Sequence, residues 1–121
     1  MNAKASIIII EDMKNSSIHI LVIEDDPQIR NFISYVLKQE EFLCTAVGTA
    51  QAGMSELVSG QIDLMILDLG LPDMDGLELI QEVRSTSALP IIVISARTLE
   101  RSKVAALDLG ADDYLTKPFG T

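Results

Sequence analysis

A chain of 121 residues with 48% apolar content and only 4 Pro has room for one compact domain with a proper core, and does not read as a disordered tail. Its formal charge of −9 opposes nucleic-acid backbones and anionic membranes, so this chain alone is not expected to bind DNA. The β-branched run Ile7 to Ile10 falls far short of the roughly 20 residues of a membrane span and lacks a signal-cleavage site, while a single Cys excludes an internal disulfide and suits a reducing cytoplasm.

Residues 1–17 read as a leader or an extra edge strand of unassigned role, with Asn15-Ser16-Ser17 as a short linker into a domain over 18–121. Residues 18–23 form an apolar strand closed by Glu24-Asp25-Asp26. Asp26 is a good N-cap, and Pro27 sits where proline is tolerated at the first helical position. Ile29, Phe32, Ile33, Val36 and Leu37 then follow the spacing of an amphipathic helix. Phe42 to Val47 is a second strand. Thr49 caps a helix over about 50–59 that carries Met54, Leu57 and Val58 inward and stops at Gly60. Asp63 to Leu67 is a nearly unbroken apolar run, suited to a strand buried on both faces of a parallel sheet.

That run ends at Asp68, after which Leu69-Gly70-Leu71-Pro72 turns the chain. Asp75 caps a helix with Leu77, Leu79, Ile80 and Val83 on its apolar side. Pro90 to Ile94 is a fourth strand, followed by a helix over about 98–109 carrying Val104, Ala105, Leu107 and Leu109 to a stop at Gly110. Asp113 to Thr116 is a short fifth strand. Five strands alternating with four helices predict an α/β fold with a parallel sheet, doubly wound so that both faces need cover. With no helix after the fifth strand, an apolar strip is expected to rely on a truncated segment or a partner. A homodimer or strand-exchanged dimer through the leader follows as an expectation.

The chemistry is expected where parallel strands end, since ligands of open α/β sheets bind outside the strands' carboxyl ends. Glu24 and Asp25 follow the first strand, Asp68 the third, Ser95 the fourth and Lys117 the fifth. Three carboxylates crowded at one edge repel unless a cation joins them. All-oxygen ligands suit a hard divalent ion, and Mg²⁺ leaves room for waters and a phosphate. His19 stands alone at the opposite end of its strand, and Cys44 reads as a small core residue, so a transition-metal site is not expected. Metal, lysine and hydroxyl around one acid make a phosphoryl-transfer site, with Asp68 as nucleophile and Lys117 and Ser95 on the phosphoryl oxygens. No GxxxxGK loop is present, so the phosphoryl group must come from elsewhere. Taken singly, Asp26 is a helix cap, Lys117 a solvated lysine, Ser95 a turn residue and Tyr114 edge-strand packing. Their joint order at successive strand ends is what argues for a site.

Glu24-Asp25-Asp26, the Leu67–Pro72 segment with Asp75-Gly76, Ser95-Ala96-Arg97, and the segment from Gly110 to Phe119 together resemble a response-regulator receiver domain of two-component signalling. The wording is similar to the OmpR/PhoB subfamily. The resemblance implies a flavodoxin-like sheet of order 2-1-3-4-5 and a phospho-acceptor switch rather than an enzyme with an external substrate. It implies that Asp68 accepts a phosphoryl group from a sensor histidine kinase or acetyl phosphate, with slow self-catalysed loss. Mg²⁺ is then held by Glu24, Asp25, Asp68 and the Gly70 carbonyl. Lys117 contacts the phosphoryl oxygens across a cis bond to Pro118. Ser95 moves toward the phosphate and Tyr114 turns inward, switching the face around the fourth helix and fifth strand. Gly70 and Arg97 stand where the family tunes dephosphorylation.

The family's fifth helix and DNA-binding domain are absent from the sequence, so Arg101, Lys103, Asp108, Asp112 and Asp113 are expected to lack familiar partners. Three alternatives compete. A flavodoxin-like nucleotide carrier wants small hydroxyl and Gly residues after the first strand, where this chain has acids. A haloacid-dehalogenase-type phosphatase wants a second Asp where Gly70 stands. An interaction-only receiver would lack a site residue, and none is missing.

Overall fold

The structure is a computed structural model and describes residues 18–96 and 100–117. The expectations for residues 1–17, for Arg97 and for the bond to Pro118 lie outside the described residues.

Strand β1 spans His19–Ile23, helix α1 Pro27–Gln39, strand β2 Leu43–Val47 and helix α2 Ala50–Ser59. They are followed by β3 (Leu64–Asp68), α3 (Gly76–Arg84), β4 (Ile91–Ser95), α4 (Glu100–Leu109) and β5 (Asp113–Thr116). The sheet order is β2-β1-β3-β4-β5, with every pairing parallel. The flavodoxin-like fold expected from the sequence is therefore the one observed, and no helix follows β5 among the described residues.

Alternation along the strands divides the core in two, because successive side chains leave opposite faces. Leu21 and Ile23 of β1 join Met65, Leu67, Ile91 and Val93 in a layer closed by Leu79, Ile80, Val83 and Ala106. Ile20 and Val22 join Leu64, Ile66, Ile92 and Ile94 on the other face, where α1 inserts Ile33 and Leu37. Both clusters are apolar over β1, β3 and β4, which explains why those strands read as unbroken hydrophobic runs. Burying a Leu, Ile or Val side chain contributes about 1.5–3 kcal/mol, so these central strands supply a large share of the stabilisation.

Each expected cap is in place. Asp26 accepts from the N–H groups of Gln28 and Ile29 at 2.8 and 3.3 Å. Thr49 accepts from Ala52 N–H, and Asp75 from Leu77 N–H at 2.9 Å. Four inward assignments are corrected. Phe32 and Val36 are 54% and 40% exposed, because α1 packs mainly on β1 and β2 through a narrow strip of Ile29, Ile33 and Leu37. Val58 is 85% exposed, since one step beyond Leu57 rotates the side chain about 100° off the core-facing line. In α4 it is Ala106 that is buried, and Val104, two positions earlier, faces out.

The end of the sheet away from the strand C-termini is locked by Arg84. Its Nε and Nη2 donate to the Gly110 carbonyl at 3.0 and 2.8 Å, and Nη2 also meets Asp112 Oδ2 at 3.3 Å. The same Asp112 oxygen accepts from Ile91 N–H at 2.7 Å. Gly110 has φ 119, and a Cβ there would lie 2.8 Å from Arg84, so both backbone and space demand glycine. Within the chain Asp112 thus pairs with Arg84, and Asp113 is buried and accepts from Tyr114 N–H at 2.8 Å.

Candidate functional site

Strands β1, β3, β4 and β5 end together, and the residues singled out in the sequence meet there. Asp68 is the last residue of β3, paired in register with Ile94, so the ladder fixes its backbone. It lies one place further into the strand than the apolar run alone implies. Glu24 and Asp25 follow β1 directly. Carboxylate oxygens of Glu24, Asp25 and Asp68 all lie within 4.8 Å of one another, with Glu24 and Asp68 buried and Asp25 exposed.

Lys117 reaches into this cluster from the end of β5. Its Nζ lies 2.6 Å from Glu24 Oε1 and 3.5 Å from Asp68 Oδ1. Its own N–H donates to the Ser95 carbonyl at 2.7 Å, which ties the lysine's backbone to the end of β4. Ser95, 1% exposed, pairs with Thr116 across β4 and β5. Tyr114 pairs with Val93 and is buried in the layer beneath α3 and α4.

One ammonium does not satisfy three acids. Burial pushes the Glu24 carboxyl above its ordinary range, and the Asp68 charge adds to that. The lysine and the Asp26 N–H, which bonds Glu24 Oε2 at 3.1 Å, pull it down without prevailing. Burial alone would also draw Lys117 down, but Glu24 and Asp68 outweigh it and hold the ammonium above its ordinary value. Both partners thus shift upward: the lysine stays charged, and the acid sits deeper than one lysine can compensate. Glu24 Oε1 is buried, with the Lys117 ammonium against it at ion-pair distance. A buried carboxylate held beside two further carboxylates, with one ammonium among the three, is a donor set that fits a hard divalent cation. His19 is far from it, bonded through Nε2 to Thr45 Oγ1 at 2.7 Å across β1 and β2.

The loop after β3 folds back on itself. Gly76 N–H donates to the Leu69 carbonyl at 2.9 Å, and Gly70 and Asp75 form an antiparallel bridge. A Cβ built on Gly76 would fall 2.6 Å from Leu69 Cα and 3.0 Å from the Asp68 carbonyl oxygen, so glycine alone lets α3 start this close to the acid. Gly70 is exposed, and a Cβ on it would stand 3.9 Å from Asp68 Oδ2, in otherwise open space.

Two residues of the site went unread in the sequence. Arg30 Nη1 donates to the carbonyls of Glu24 and Asp25 at 2.9 and 3.4 Å, bracing the acidic pair's backbone from α1. Asp73 accepts from the N–H groups of Ala50 and Gln51, each at 2.9 Å, tying the loop after β3 to the first turn of α2. These two bonds hold the Asp73 carboxyl below its ordinary value. Neither residue belongs to a periodic pattern, and the Asp73 bonds span more than 20 residues, beyond any local signal.

The family model described as the response regulator receiver domain matches residues 20–121. The KDP operon transcriptional regulatory protein KdpE of Escherichia coli (strain K12) is 49% identical over 102 residues, covering 84% of this chain and 45% of that protein. LDLGLPDMDG and the stretch from Ser95 to Gly120 already resemble a regulator of that potassium-uptake operon. Response regulator ArlR of Staphylococcus epidermidis is 41% identical over 101 residues, covering 84% of this chain and 46% of that protein. The chain thus spans about half the length of these curated relatives, 45% and 46%. Among solved structures, the Thermotoga maritima response regulator TrrA in complex with Mg(2+)-BeF is similar with TM-score 0.76 and 31% identity, covering 85% of this chain and 89% of that one. The Francisella response regulator 1452 receiver domain is similar with TM-score 0.81 and 28% identity, covering 86% and 87%. These matches do not favour a nucleotide carrier of flavodoxin type, and the acids at the end of β1 would repel a phosphate held without metal. No helix among the described residues is long and apolar enough to cross a membrane. From its matched family model, its sheet order and its convergent strand ends, the chain belongs to the response-regulator receiver domain family.

Proposed function

We propose that Asp68 is the phospho-acceptor of this receiver domain. Glu24, Asp25, Asp68 and the Gly70 carbonyl would hold Mg²⁺, and Lys117 and Ser95 would bind the phosphoryl oxygens. The observation that carries the reading is the meeting of three carboxylates within 4.8 Å of one another with an ammonium 2.6 and 3.5 Å from two of them. When bound, magnesium supplies the positive charge that lets this acidic edge accept a further anion. The rest is done by the chain. An Asp68 carboxylate oxygen attacks phosphorus, the P–N bond of a sensor kinase's phosphohistidine breaks, and the electron pair stays on the imidazole nitrogen. With acetyl phosphate the leaving group is acetate. Lys117 is already charged and in place, so neutralisation of the new oxygens costs little reorganisation.

Ser95 and Tyr114 then carry the change to the face around α4 and β5, as a shift between two pre-existing conformations. Gly70 offers no side chain to guide an attacking water, which favours slow loss of the phosphoryl group. The relatives' names describe transcriptional regulators, and we read this chain as the input half of such a regulator, with a histidine kinase as donor and DNA contacted by a separate output domain.

The test is incubation with Mg²⁺ and acetyl phosphate, followed by mass analysis of the peptide containing Asp68. A base-labile phosphoryl mass is expected there, absent without Mg²⁺ and abolished by Asp68→Asn. An adduct that persists in Asp68→Asn places the nucleophile elsewhere.

A further inference from the structure

The bonds from Asp73 to α2 serve the site. Asp73 lies on the loop that leaves Asp68, three residues beyond Gly70, and bonds the two N–H groups at the head of α2. That helix is itself fixed to the strand bearing the acidic pair. A Cβ on Gly53 would lie 2.3 Å from Ile23 Cδ1, so the backbone of α2 rests directly on the last residue of β1, beside Glu24. A closed circuit results: Glu24 and Asp25, then Ile23, Gly53, the head of α2, Asp73 and the loop back to Gly70 and Asp68. Two further backbone contacts, Gly76 to Leu69 and Gly70 with Asp75, join the loop to itself and to its own helix.

Asp73 is itself exposed, and its two bonds both satisfy N–H groups at the head of α2, where Ala50 is buried, and hold the loop in position. We infer that Asp73 is a positioning residue for the cation site, holding the Gly70 segment at the spacing from Glu24 and Asp25 that a shared divalent ion requires. The inference rests on the reading of the site given under the proposed function. Its physical content is preorganisation: donor groups already at the right separation do not have to be ordered when the ion binds.

The experiment measures Mg²⁺ binding to the whole chain by isothermal titration, without any phosphoryl donor. Asp73→Ala should weaken Mg²⁺ about threefold to tenfold, and Asp73→Asn, which keeps one carbonyl acceptor, should fall between it and the parent. Thr49→Ala is the control. It removes the cap bond to Ala52 N–H from the same helix head and leaves the Asp73 bonds in place. It should lower the melting temperature while keeping the parent's Mg²⁺ affinity. Unchanged affinity in Asp73→Ala overturns the inference, as does an equal loss in Thr49→Ala, which would reduce Asp73 to a helix stabiliser. A parent chain that binds no Mg²⁺ overturns the reading of the site and this inference with it. A parent that binds Mg²⁺ as tightly as Asp73→Ala overturns the inference alone.

Discussion

Gly76→Ala sets two effects against each other at the start of α3, and the geometry decides between them. Alanine is the better helix former by up to about 1 kcal/mol, so a reading from propensity alone predicts stabilisation. The added methyl would stand 2.6 Å from Leu69 Cα and 2.9 Å from Leu69 Cδ2, where ordinary contact begins at 3.4 Å. The shortfall falls on backbone that cannot swing away, since Leu69 is fully buried and its carbonyl already accepts from Gly76 N–H. The head of α3 must back off by most of an ångström. Overpacking of this kind costs about 1–3 kcal/mol. At the first helical residue the propensity gain is smaller than in mid-helix, so we expect net destabilisation of about 1–2 kcal/mol. For a domain near 100 residues that lowers the melting temperature by roughly 5–15 °C. Thermal unfolding followed by circular dichroism reads it, with Gly70→Ala as the partner variant, whose methyl enters open space and should leave the melt within about 0.5 kcal/mol of the parent. Gly76→Ala melting at or above the parent would refute the reasoning, because α3 would then not be pressed against Leu69 at the end of β3.

Three further predictions concern the same edge. Gly70→Asn should fold like the parent, since Gly70 needs no positive φ, and should change the lifetime of the phosphoryl group on Asp68, read by mass or gel shift after removal of donor; an unchanged lifetime counts against a water-guiding position there. Lys117→Ala should leave phosphorylation possible while the conformational response is lost, read by amide exchange of β5 and α4. Because the folded-state pKa of Lys117 is raised above 10.5, its stabilising contribution is fully present below that pH and disappears as pH rises through the folded value. The stability gap between parent and Lys117→Ala should therefore hold from neutrality to about pH 10 and close above it, and a gap that widens there contradicts the sign.

Local chemistry made the element boundaries legible. Asp26, Thr49 and Asp75 are caps whose side chains reach only two or three residues along the chain, so the sequence displays them without knowledge of the fold. Periodicity also placed Ile33, Leu37, Leu79 and Val83 correctly, but could not measure how wide a strip each helix buries. Phe32, Val36, Val58 and Val104 were lost for that reason. The convergence of Glu24, Asp25, Asp68 and Lys117 followed from topology, because every parallel strand ends on one side. Asp73 and Arg30 did not. Both act through main-chain atoms of other elements, and a carbonyl or N–H partner leaves no mark on residue type.

Lys117 touches two acids at once, and this divides whatever it senses. On the proposed reading, new negative charge on Asp68 would draw the ammonium across from Glu24, and a buried carboxylate so deserted would lean harder on the Asp26 N–H at the entrance to α1. News of the event at Asp68 would then leave by two doors, one through the hydroxyl and aromatic pair on β4 and β5, the other through the opening turn of the helix on the opposite flank.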